Sequence, residues 1–190
     1  LNINNYVKEN IMDITLLHPK IVHLPIALAV LMPLISGGLL IAWWREWFPK
    51  RVWFLAVLFQ AVLLASGFAA LQTGEADEEP VENVVAEQYI EAHEEAAEVF
   101  VWTSAIVLFL LLGAGLLPNE RKGQGLATVA TLGTLVVLGL GFRVGEAGGA
   151  LVYEHGAANA FVNAAQLSGN SEVKSGKVTH GRDADDDDDD

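Results

Sequence analysis

The sequence predicts an all-α fold: an up-and-down four-helix transmembrane bundle with a long third helix projecting outward. Three observations lead there. Hydrophobic residues make up 52% of the 190 and fall in four long blocks, not in periodic stripes. The turns joining blocks one to two and three to four are short and basic. The middle connection is long and acidic.

Residues 21–44 are interrupted only by His23, and residues 52–71 hold nothing more polar than Gln60 and Ser66. Residues 99–117 and 126–142 carry no charge. A spanning helix needs about 20 apolar residues, because each adds about 1.5 Å across a core about 30 Å thick. A soluble chain of 190 residues could not bury four helices that are apolar all round.

Ahead of the first span, residues 1–17 read as a polar extension without the basic start and small-residue cleavage site of a signal peptide. Arg45, Lys50 and Arg51 in the first turn and Arg121 and Lys122 in the second supply five of the 11 basic residues. Residues 75–98 hold ten acidic residues and no Lys or Arg. Basic short loops mark the cytoplasmic side, so the acidic loop and both termini are expected outside, on the periplasmic face of a bacterial inner membrane. Trp43, Trp44, Trp47 and Trp53 would form an inner aromatic belt, with Trp102 near the outer face.

Pro80 suits a first helical turn, and Val81, Val84, Val85, Tyr89, Ala92 and Ala96 recur at helical spacing. One helix is therefore expected over residues 80–117, with Glu87, Glu91, Glu94, Glu95 and Glu98 on its solvated face. The fourth span carries the ladder Gly141, Gly145, Gly149, which admits close approach of another helix, in the same bundle or in a homo-oligomer. The folded domain is read as residues 18–156. Residues 157–190, closing in a run of Asp, are too polar to build a core and read as a disordered acidic tail.

Cysteine is absent, which excludes disulfides, thiolate metal sites and c-type haem attachment. None of the spans has a mid-membrane Asp, Glu, Lys or Arg, which argues against a proton pump or ion-coupled transporter. Hydrolase and nucleotide-binding motifs are missing, no catalytic constellation is recognised, and nothing suggests a nucleic-acid partner. The chain is not expected to be an enzyme on its own.

Chemistry concentrates in the histidines. His18 and His23 precede span one with Pro19 and Pro25 fixing the backbone around them, His93 precedes span three, and His155 follows span four. Up-and-down topology puts all of them on the outer side. Imidazole is a ligand for zinc, copper, iron and haem iron, and helical bundles build such sites from facing helices. His155 would reach a common site only if the fourth helix bent at Gly148 and Gly149. The alternative is that these imidazoles are interfacial hydrogen-bonders that lock the loops.

The string from His18 to Pro25 (HPKIVHLP), Thr73–Gly74, the His93 helix and the string from Gly148 to Gly156 (GGALVYEHG) carry a resemblance. Together they resemble a bacterial family of four-span membrane proteins of unknown function, with an HPxxVHxP start and a GGxLVYxHG end, over residues 17–156. Fusion of relatives to cytochrome-type domains implies haem and redox work. The expectation is a membrane subunit that binds haem b, or alternatively zinc, copper or iron, through two of His18, His23, His93 and His155. It would exchange electrons with a periplasmic redox partner. The rivals are a cofactor-free scaffold of a membrane complex and a periplasmic metal-binding protein.

Overall fold

The computed structural model describes residues 17–76 and 78–160; the N-terminal extension before Leu17 and the Asp-rich tail lie outside the described residues. Among the described residues the α-helices include, in chain order, α1 (Leu17–Ile21), α2 (His23–Trp44), α3 (Phe54–Ala76), α4 (Glu78–Glu82), α5 (Glu87–Leu116) and α6 (Glu120–Tyr153). A 3₁₀ turn, Lys50–Trp53, leads into α3. The segments His18–Trp44, Lys50–Ala76, Glu87–Leu116 and Glu120–Tyr153 are each long and apolar enough to cross a membrane.

Each long helix packs on its sequence neighbours, and α6 closes on α2, as an up-and-down bundle requires. The core is a column of Met32, Leu40, Ala56, Leu63, Val107, Leu111, Ala130 and Val137. Outward-facing side chains are equally apolar: Leu34 is 72% exposed, Phe109 70% and Phe142 67%. A water-soluble protein would not carry such a surface on every helix, so lipid contact accounts for it.

Several polar groups inside the bundle find partners across helices. Gln60 Nε2 donates to the Ser104 carbonyl at 3.1 Å, joining α3 to α5. The Ser36 and Thr134 hydroxyls face each other at 3.4 Å between α2 and α6. At the basic-turn end, Trp53 Nε1 donates to the Leu111 carbonyl at 2.9 Å, and Lys50 donates to the Leu117 carbonyl. The Trp43 and Trp53 rings pack 5.7 Å apart. Both are buried, while Trp44 and Trp47 are exposed, so only part of the expected aromatic belt faces outward.

The third long helix starts later than its sequence suggests. Residues 80–86 are not its first turns: α4 ends at Glu82, and Ala86 is extended (φ −69°, ψ 133°) ahead of Glu87. The physical reason is Val85, buried with Ile90 and Ala157 and flanked by Val81 and Leu151. Keeping residues 80–86 in the α5 helix would swing that side chain out of its cluster. Beyond α6, Gly156 takes a left-handed conformation (φ +74°), and the Ala157 N–H bonds the Leu151 carbonyl at 2.9 Å. Packing thus continues past residue 156, with Ala157 and Ala160 buried.

Candidate functional site

The site is built at the start of the first span, where α1 runs into α2 with Val22 helical between them. This short helix packs on the end of α3 as well as on α2, so His18 lies over the second span. His18 Nδ1 bonds the Ala70 carbonyl at 2.8 Å and lies 3.3 Å from the Thr73 hydroxyl. A carbonyl only accepts, so Nδ1 carries the proton and Nε2 keeps its lone pair. The ring edge rests on Gly74: a Cβ there would sit 3.2 Å from His18 Cε1.

His93, on the acidic-loop end of α5, stands beside it. The two imidazole centroids are 6.4 Å apart with planes at 88°. His93 is cradled by α6, where a Cβ on Gly148 would lie 3.0 Å from its Cε1. In this ring Nδ1 is buried with no hydrogen-bond partner. The His18 imidazole is therefore held by a backbone carbonyl with its other nitrogen uncommitted, and the buried His93 Nδ1 has no partner. The His18 arrangement matches how metal-ligating histidines are oriented, with one ring N–H on a carbonyl and the other nitrogen's lone pair free.

The other two histidines are elsewhere. His23 opens α2 with its side chain exposed. His155 stacks on Tyr89, centroids 3.7 Å apart and planes 17° from parallel. The bend that would bring His155 to a common site does not form, because α6 runs unbroken through Gly148 and Gly149 to Tyr153. Among the described residues no group of three or more His, Cys, Asp or Glu converges as a metal site. The arrangement is a pair, not a quartet.

Sequence reasoning singled out His18 and His93 but not their supports: the Ala70 carbonyl, Thr73, Gly74 and Gly148. Gly74 and Gly148 both stood in conspicuous motifs, and a glycine facing a helix-borne histidine is the signal that was available. The glycine ladder also divides. Gly141 is packed inside the bundle, its added Cβ falling 3.4 Å from Phe100 and 3.6 Å from Ala29. Gly145 and Gly149 have nothing within 4 Å of that position. Beside them, a groove of about 350 Å³ runs between Ile26, Ala29 and Val30 of α2 and Gly141, Phe142 and Gly145 of α6.

The chain matches no protein-family model, no curated protein and no solved structure.

Proposed function

We propose that this chain is a membrane subunit that binds a transition metal, as haem b or as a bare ion, between His18 and His93. In this reading it lies in a bacterial inner membrane with the acidic loop and both termini outside. The metal centre at the outer rim exchanges electrons with a periplasmic partner. The observation that carries the reading is the His18–His93 pair itself, 6.4 Å between centroids, with one free nitrogen on each ring.

The chemistry of the donors supports a metal. Two neutral imidazoles bring no charge of their own, and a cation supplies the partner that the buried His93 Nδ1 lacks. What the metal contributes when bound is a one-electron couple. The protein's share is to fix the His18 ring through the Ala70 carbonyl and to hold both rings against helix backbones at Gly74 and Gly148. The test is metal and haem content of the purified wild-type protein and of four single variants. His18→Ala and His93→Ala should lose the metal, while His23→Ala and His155→Ala keep it. Full metal content in all four would end this reading.

A second reading rests on a different face. Gly145 and Gly149 are open, and the apolar groove lies beside them, as a scaffold subunit docking another helix would need. On that reading Gly145→Leu dissociates a complex or homo-oligomer seen in native gels, and the histidine variants are mild. Reversible zinc or copper uptake in the periplasm without redox work is the remaining alternative, and metal analysis without a visible band would favour it.

A further inference from the structure

We infer that the groove between α2 and α6 binds one aminophospholipid, a phosphatidylethanolamine, with its acyl chain in the groove, its phosphate on Arg143 and its ammonium on Glu146. The groove encloses about 350 Å³ between Ile26, Ala29 and Val30 on one wall and Leu138, Phe142 and Gly145 on the other. Glu146 is the last lining residue of α6. That volume falls within the range of small-molecule sites, roughly 300–1,000 Å³. Gly145 keeps it open, since a Cβ there would meet nothing within 4 Å.

Charge selects the occupant. Residues 126–142 of α6 carry no charge, and Arg143 and Glu146 follow directly. Both side chains are exposed, and among the described residues neither has an ion-pair or hydrogen-bond partner. Charged groups at the border of the hydrocarbon are costly until paired. At about 1.5 Å per residue, Glu146 lies about 4.5 Å farther from the bilayer middle than Arg143. Read toward the middle, the helix offers an anion, then a cation, then an apolar groove. A phosphatidylethanolamine in the adjoining leaflet offers ammonium, phosphate and acyl chain in that same order. The complement is complete.

The pairings also exclude other lipids. Guanidinium binds phosphate oxygens through two parallel N–H bonds, and a primary ammonium donates to a carboxylate. The quaternary ammonium of phosphatidylcholine has no N–H to give Glu146. An anionic headgroup suits Arg143 but is repelled by Glu146, and an uncharged isoprenoid ring would leave both charges unpaired. This inference is independent of the metal centre. It places a lipid where the scaffold reading docks another helix.

The experiment is native mass spectrometry of the full chain released from mild detergent. Phosphatidylethanolamine, phosphatidylcholine and phosphatidylglycerol of matched acyl chains are offered in turn. Wild type should retain one phosphatidylethanolamine per chain, about tenfold tighter than the other two, the order contributed by one charge-assisted hydrogen bond. Glu146→Gln and Arg143→Gln should each lose that preference, and Gly145→Leu, which fills the groove, should weaken all three lipids. Glu146→Lys adds a second cation beside Arg143 and should turn the preference to phosphatidylglycerol, a gain that misfolding cannot imitate. Equal retention of the three lipids by wild type, or a preference of wild type for phosphatidylglycerol, would overturn the assignment. So would a dimer of lipid-free chains that Gly145→Leu dissociates, because a second copy would then fill the groove. Metal content of the same samples should match wild type in every variant, so the lipid site and the metal centre fail separately.

Discussion

Replacing Gly148 by Ala, read beside Gly145→Ala on the same helix, isolates the packing of the histidine rim from helix propensity. Both changes remove a mid-helix glycine from α6, which by propensity stabilises by about 1 kcal/mol. At position 145 the new methyl group meets nothing within 4 Å, so the propensity gain stands alone. At position 148 it would sit 3.0 Å from His93 Cε1, closer than carbon atoms pack. Forcing a methyl group into a filled site costs about 1–3 kcal/mol. The net expectation is about 1 kcal/mol of stabilisation for Gly145→Ala, and between none and about 2 kcal/mol of destabilisation for Gly148→Ala. Unfolding in mixed detergent micelles, followed by circular dichroism, reads the difference. Gly148→Ala should also weaken metal binding, since it displaces the ring that Gly148 cradles. Equal stabilisation by both variants, with metal binding intact, would refute the claim that His93 is seated on α6.

Other consequences follow from buried polar groups. Trp53→Phe removes the Nε1 bond to the Leu111 carbonyl and should cost about 1–2 kcal/mol in the same assay, whereas Trp47→Phe, on an exposed ring, should cost little. Gln60→Leu loses one bond to the Ser104 carbonyl but also removes a buried, unpartnered Oε1; stability should hold or rise by about 1 kcal/mol. A loss above about 2 kcal/mol would mean that the amide has a partner beyond Ser104. Val85→Asp should loosen the start of α5 without opening the bundle, because Val85 packs in the separate cluster with Ile90 and Ala157; faster proteolysis near residue 85 with unchanged helix content is the readout.

Much of this architecture is legible because lipid acts as a uniform solvent. Each span must satisfy its own backbone and present apolar atoms all round, which writes an unbroken hydrophobic block into the sequence. Gln60 and Ser66, the only polar residues noted in span two, are indeed both buried. What the sequence hides is local and tertiary. The break before Glu87 depends on Val85 reaching Ile90 and Ala157, a contact between residues over 70 positions apart that no helical periodicity encodes. Pro80 was a sound start signal, but for the short helix α4. The histidines were recognisable as candidates, yet their pairing depends on α1 packing on the end of α3, which puts His18 beside His93. Likewise, flexible-looking Gly148 and Gly149 lie inside a continuous helix, where Gly148 serves as the seat of an imidazole.

The most direct test of the metal centre is an absorption spectrum of the detergent-purified protein, as isolated and after dithionite reduction, with metal analysis on the same sample. The account predicts copper or iron near one per chain, or a Soret band that shifts on reduction, lost when His18 or His93 becomes Ala. A colourless, metal-free protein that stays so after copper, zinc and haem are added back would contradict it.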